Sequence, residues 1–371
     1  MKPKATLILI LSAAAVLAFV SLNQKIADPG PRDLDESPDN KQTGTPQIEV
    51  IASGLNIPWD VDFLPSGEIL ITERPGNLLT VGKDKQVIKV EGVRHIGEGG
   101  LMGLAVHPDV QENNWIYLYL TSQSGSSITN RVERYKLEDN KLSDRLVILE
   151  GIAGSSVHDG GQIEFGPDNF LYITTGDAGS PDSAQDKNSL NGKILRVADD
   201  GSIPSDNPFG SAVYSYGHRN PQGLAWDDAG NLWAAEHGPS GRETGNDELN
   251  LIEKGKNYGW PIIRGAEKQA GMETPVIESG RSETWAPSGL GFFQGRLWMA
   301  GLRGETLYGF DPMSQALERY LVGQYGRLRA VKAGNKGLYI TTSNRDGRGS
   351  PDNGDDRLIL ISDSGIFKID K

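Results

Sequence analysis

One histidine stands in a glycine-rich loop, in the stretch SSVHDGGQIEFGPDNFLYITTGD, residues 155–177. His158 is followed by Asp159, Gly160 and Gly161, and Asp177 closes the strand-like run FLYITT that comes next. Imidazole is the side chain whose ordinary titration falls near neutral pH. A carboxylate that takes one ring N–H leaves the other nitrogen free to accept a proton. Glycines beside the ring let another group approach closely. His158 and Asp177 therefore read as a base and its orienting acid, against the commoner alternative of a structural loop histidine.

Three further stretches carry polar chemistry. In YSYGHRNPQGLAW (214–226), Arg219 and Asn220 precede Pro221 in a stiff turn. A planar guanidinium beside a donor–acceptor amide suits an oxygen-rich ligand; His218 reads as structural. In EHGPSGRETGNDELNLIEKGKNYGWP (236–261), Glu236, Glu243, Asp247 and Glu248 surround a Gly-Pro turn. Carboxylates and backbone carbonyls are the ligands of hard cations, so calcium is the natural ion for such a loop. The spacing is not that of an EF-hand, and a solvated acidic loop is the plainer reading. Arginines then gather towards the C-terminus: Arg303, the pair Arg327 and Arg329, and Arg345. Two guanidiniums two residues apart on a strand face the same way and repel unless an anion or an acid lies between them.

These residues need a scaffold, and the chain repeats one. A short apolar segment, a turn with Pro, Asp, Asn or Gly and a β-branched or aromatic strand recur at 59–73, 100–121, 160–177, 221–238, 287–302 and 328–343. Further strand-like pieces follow most copies, among them NLLTVG, RVERYKL, GKILRVA, ETLYGFD and DRLILIS. No helix-period segment of useful length interrupts the series. Recurrence of strand, turn and strand every roughly forty to seventy residues marks a radial or linear β array. The expectation is an all-β six-bladed β-propeller with four-stranded antiparallel blades over residues 47–371. The terminal strands QIEVIAS and GIFKID are expected to share a blade and close the ring, which removes open edges. Longer gaps between the third, fourth and fifth copies place the binding groups on loops at one mouth of the channel.

Bulk properties bound the function. The chain has 371 residues, 37% hydrophobic and 23% charged, with a net charge of −12. Its isoelectric point is about 5.0. An acidic surface argues against nucleic acid or an anionic membrane as partner. There are no cysteines, which excludes disulfides, thiol catalysis and thiolate metal sites. Residues 1–22, two lysines followed by an apolar run, read as a secretory signal or signal anchor. Residues 23–46, rich in Pro, Asp, Asn and Gly, read as a disordered stalk. The propeller is thus expected to be exported, to the periplasm, the exterior or the outer face of the cytoplasmic membrane.

The motifs GHRNPQGLAW, EHGP…DELNLIEKGKNYGWP and HDGGQIEFGPDNFLYITTGD, in this order, resemble the soluble glucose/sorbosone dehydrogenases, the quinoprotein aldose sugar dehydrogenases. The resemblance spans essentially all of 47–371. It implies a propeller that binds pyrroloquinoline quinone (PQQ) and calcium at the channel mouth and oxidises aldoses at C1 to the lactone. It implies that His158 accepts the C1 hydroxyl proton while hydride passes to the quinone, that Asp177 orients His158, and that Arg219 stabilises charge developing on the quinone oxygen. Asn220 and Glu98 would contact the cofactor, and Arg303, Arg327 and Arg329 would hold its three carboxylates. The carbonyls of Gly238 and Pro239 would ligate one calcium, and Glu248 with the carbonyl of Tyr258 a second, structural one. The chain departs from the family pattern at Glu98, where glutamine is usual, at Arg303, where lysine is common, and at Val157, where glucose-specialised members carry a polar residue. Two other readings compete: a calcium-dependent propeller hydrolase of lactones or esters, which leaves the arginines without a task, and a non-enzymatic binding propeller, which leaves His158 without one. The expected partners are an aldose and an electron acceptor that the sequence does not identify, with the chain a monomer or homodimer.

Overall fold

The computed structural model describes residues 48–239 and 245–362. The expected signal and stalk (1–46), Glu243 and the segment GIFKID lie outside the described residues. The described chain is almost entirely β, with one helix of four residues, Val110–Asn113, and a single 3-10 turn, Pro181–Ala184. Its strands form six four-stranded sheets. Five are uninterrupted antiparallel meanders: blade 1 from Pro58 to Lys89, blade 2 from Leu101 to Ala153, blade 3 from Ile163 to Tyr216, blade 4 from Pro221 to Glu278 and blade 5 from Pro287 to Tyr320. In blade 6 three strands between Leu328 and Ser362 are completed by the first strand of the fold, Ile48–Ala52, which pairs with Leu358–Ser362. The ring is therefore closed by the N-terminal strand, but its partner is LILIS; GIFKID, expected to share this blade, lies outside the described residues.

Each repeat seen in the sequence supplies the inner two strands of one blade. The first faces the channel and the second is buried on both sides, as the uniformly buried runs Ile69–Glu73, Leu171–Thr175 and Leu232–Glu236 show. Burial on both faces explains why these strands read as continuous apolar runs rather than alternating ones. Six clusters of buried apolar side chains fill the spaces between neighbouring blades. Trp298, Tyr117, Tyr119, Tyr308 and Tyr320 are the largest fully buried apolar side chains.

Around the channel the inner strands crowd. A Cβ at Gly103 would lie 2.2 Å from the carbonyl oxygen of Gly161 in the next blade, so only glycine fits. In five blades the pairing of the inner strand slips at its start, between Pro58 and Asp60, Leu101 and Leu104, Pro221 and Gly223, Pro287 and Leu290, and Leu328 and Val331. Such bulges re-aim side chains. They ring one mouth of the channel, and the residues with candidate chemistry lie at that mouth.

Candidate active site

His158 occupies the connection between blades 2 and 3, with a φ of 56°. That left-handed conformation is uncommon for a non-glycine residue and is held here by its surroundings. Gly176 makes it possible: a Cβ there would sit 1.9 Å from the His158 carbonyl oxygen. The His158 peptide N–H donates to Glu98 Oε2 at 2.9 Å. Its ring Nδ1 donates to Asp177 Oδ1 at 2.7 Å. Asp177 is buried and also accepts the Gly179 N–H on Oδ1 at 2.8 Å and the Trp260 indole N–H on Oδ2 at 2.9 Å. Burial works against its charge, but these donors, His158 first, hold it below the usual carboxylate range. With Nδ1–H committed to a charged carboxylate, Nε2 is the accepting nitrogen of His158.

His158 opens onto a cavity of about 340 Å³, within the range of small-molecule sites. Val157, Glu98, His237, Asp247 and Gly238 share its wall with Arg303, Arg327 and Arg348. Arg327 is buried and ion-paired to Asp346 at 2.8 Å. Arg329 does not line this cavity: it stacks over Trp59 at 4.3 Å and donates to Gln222 Oε1 at 2.9 Å. Burial, and repulsion from Arg74 and Arg327, push the Arg329 guanidinium down to about 9. The cations at this mouth are thus close enough to oppose one another. His237 is pushed down to about 3, chiefly by burial and further by Arg219 and Arg329, and stays neutral.

A second cavity, about 10 Å³ and so roughly the size of one water or ion, adjoins the first through the shared residues His237, Gly238 and Pro239. Arg219, Glu236, Glu248, Tyr258, Trp260, Ile263 and Arg264 complete its lining. Arg219 lies 5.4 Å over the Trp260 ring and donates to the His237 carbonyl at 3.3 Å. Glu236 and Glu248 are opposite each other on paired strands. Glu236 is occupied by the Arg219 N–H and by His218 Nδ1. Glu248 accepts from Gly265 N–H at 2.8 Å and Asn250 at 3.1 Å. Burial and the neighbouring Glu236 push Glu248 up to about 8. A cation beside it would relieve both costs.

The structure therefore brings together His158, Asp177, Glu98, Arg303 and Arg327 at one cavity, and Arg219, Gly238, Pro239, Glu248 and Tyr258 at its neighbour. Asn220 is buried under the histidine loop, where its carboxamide oxygen accepts the Gly160 N–H at 3.0 Å. His218 is fully buried between Ser215 and Glu236, stacked on Tyr258, as a structural histidine should be. Three expectations are corrected. Arg345 does not join the cavity, because its guanidinium bonds the Asp355 carbonyl; Arg348, three residues on, takes that place. Arg327 and Arg329 do not act as a same-facing pair, because the strand begins only at Leu328 and is bulged before Val331. Asp247 is no free oxygen ligand, since its carboxylate binds the N–H groups of Gly238, Trp285 and Ala286 and so ties down the Gly-Pro turn. Sequence reasoning passed over His237, Trp260 and Arg74; the tryptophan of NYGWP and the histidine of EHGP were in view inside motifs and gave no sign of their direction. Among the described residues no group of three or more His, Cys, Asp or Glu side chains is gathered for a metal ion.

Fold and site together define a six-bladed propeller with an anchored histidine and a cation-rich pocket at one channel mouth. Residues 55–359 match the family described as Glucose / Sorbosone dehydrogenase. The chain belongs to the glucose/sorbosone dehydrogenase family, a family of oxidoreductases. It is 31% identical to the aldose sugar dehydrogenase YliI of Escherichia coli over 345 residues, covering 82% of this chain and 91% of that one. It is 36% identical to quinoprotein glucose dehydrogenase B of Acinetobacter calcoaceticus over 261 residues, 60% of this chain and 54% of the relative. Among solved structures, the PQQ-bound aldose sugar dehydrogenase of Streptomyces coelicolor superposes with a TM-score of 0.79 at 41% identity, over 85% of this chain and 98% of that one.

Proposed function

We propose that this protein oxidises aldose sugars at C1 to the lactone, with PQQ as hydride acceptor and His158 as general base. The observation that carries this reading is His158, ring-anchored by Asp177 at 2.7 Å and facing a cavity that also holds Arg303, Arg327 and Arg348. The donor set fits a tricarboxylic quinone. Cations from separate loops converge on the cavity, and buried Arg74 behind them has an Nε without a hydrogen-bond partner. An anion seated there would offset their mutual repulsion. A quinone held by these residues would supply the two-electron acceptor for the C1 hydride.

The chain's own residues do the rest. His158 Nε2 accepts the C1 hydroxyl proton, and the Asp177 carboxylate stabilises the imidazolium that results. Trp260 and the Gly179 N–H keep that carboxylate charged and in place. Arg219, rigidly packed on Trp260, sets a positive charge where negative charge develops. The carbonyls of Gly238 and Pro239, residues that line both cavities, would hold a calcium ion, and Glu248 with the Tyr258 carbonyl a second. The apolar side chain of Val157 in the cavity wall fits a tolerant sugar site rather than one strict for glucose. An export signal in residues 1–22 would put this chemistry outside the cytoplasm.

The test is reconstitution. Apoprotein supplied with PQQ and calcium should reduce a dye when given aldoses, and His158→Ala should lose turnover while still binding the quinone. Lactone hydrolysis with calcium alone, and no response to the quinone, would overturn the reading.

A further inference from the structure

Glu98 is the residue whose type fits an anionic cofactor worst, and the structure shows what it is used for. It lies in the connection between the last strand of blade 1, Lys85–Lys89, and the first of blade 2, Leu101–Val106. Its two oxygens go to different parts of the ring. Oε2 accepts the His158 N–H at 2.9 Å, and Oε1 lies 3.0 Å from Arg348 Nη2 in the long loop of blade 6. Its own N–H donates to the Ser156 carbonyl at 3.0 Å, so the backbone of the histidine loop is gripped twice. One carboxylate thereby joins three connections across the channel mouth.

His158 is thus fixed at two points by two carboxylates with separate tasks. Asp177 orients the ring. Glu98 holds the peptide, which sits in a left-handed conformation where the N–H has no strand partner. Without that acceptor the peptide can relax, and the ring moves relative to anything bound in the cavity. Arg348 balances the charge of the carboxylate through its Oε1. Burial works against the charge on Glu98, but the His158 N–H and Arg348 hold its pKa down to about 2.

We propose that Glu98, charge-balanced by Arg348, is a positioning residue that acts on the reaction through the His158 backbone and does not itself ligate the quinone. This rests on His158 being the base, and the test is built to separate the two ideas. Two variants are compared with wild type in the reconstituted enzyme: E98Q, which keeps an acceptor oxygen, and E98A, which does not. Expected is a kcat within about threefold of wild type for E98Q, and a loss of about tenfold or more for E98A, at saturating quinone. The quinone Kd of E98A and E98Q, read by spectroscopic titration, should stay within about threefold of wild type, as for any residue that does not touch the ligand. The independent readout is NMR of protein labelled with ¹⁵N-histidine: the His158 ring signals should move in E98A and return to the wild-type position in E98Q. Equal losses of quinone affinity in E98A and E98Q would show direct ligation and overturn the proposal. Unchanged His158 signals in E98A would overturn it also. If wild type with quinone and calcium turns over no aldose, the proposed function fails, and the NMR arm alone still decides whether Glu98 positions His158.

Discussion

Asp177→Asn tests the paired histidine and carboxylate most directly. Three donors converge on the native carboxylate: the His158 ring and the Gly179 N–H on Oδ1, and the Trp260 indole on Oδ2. Asparagine offers a single oxygen. If that oxygen keeps His158 and Gly179, its amide faces the indole N–H, donor against donor, and the imidazolium loses its counter-charge. A hydrogen bond to a charged group contributes about 1.5–3 kcal/mol, so this arrangement alone lowers kcat by roughly tenfold to a hundredfold. If the amide flips, its NH₂ meets His158 Nδ1, the ring proton shifts to Nε2, and the accepting nitrogen is lost. A general base contributes about 10²–10⁴-fold, and the flipped state forfeits all of it. The expected kcat is therefore lower by about 10² to 10⁴ at saturating quinone, calcium and sugar. Dye-reduction kinetics measure this, and spectroscopic titration should show an unchanged quinone affinity, because Asp177 lies behind the histidine. A D177N enzyme with kcat within about threefold of wild type would refute the assignment of His158 as a base oriented by this carboxylate.

Four other outcomes follow from the same geometry. The double variant R327A/D346N, chosen to leave no unpaired buried carboxylate, should bind the quinone about tenfold or more weakly in the titration. Calcium should raise the Tm of the wild type, and Glu248→Gln should abolish that rise, as seen by calorimetry. Glu98 is held down to about 2 from an ordinary 4.5; its folded pKa is the lower, so it contributes stability above the unfolded value that is lost as pH falls. The stability gap between wild type and E98Q, about 1–3 kcal/mol near neutrality, should therefore shrink between about pH 4.5 and pH 2 in denaturant titrations. Deleting residues 1–46 should leave Tm within a few degrees, whereas deleting 1–53 removes the strand Ile48–Ala52, exposes the edge of Leu358–Ser362 and should lower Tm and promote aggregation on heating.

Much of the architecture could be read along the chain because a propeller is built from local contacts. Each blade is a meander whose strands are sequence neighbours, so the turn residues and apolar runs of GPDNFLYITT or DDAGNLWAAE specify a hairpin wherever they occur. Ring closure by the N-terminal strand was equally legible, since a propeller with open edges invites aggregation. The residue types at the site were legible too: an imidazole among glycines, arginines in an acidic chain, a Gly-Pro turn among carboxylates.

What the chain could not disclose was direction. Alternation along a strand aims Arg327 and Arg329 the same way, yet the strand starts between them and a bulge turns Arg329 onto Trp59 and Gln222. Arg345 and Arg348 are equally good candidates by composition, and only the fold of their loop sends one to the Asp355 carbonyl and the other to Glu98. Glu98, His158 and Arg348 are separated by 60 and 250 residues from the carboxylate outward, and their meeting depends on six blades closing into a ring. Local sequence therefore determined the strands, the turns and the kinds of chemistry available. Which charges meet, and which carboxylates are consumed by backbone N–H groups before any ligand arrives, was decided only by tertiary structure, because such contacts depend on loop geometry that no short-range propensity encodes.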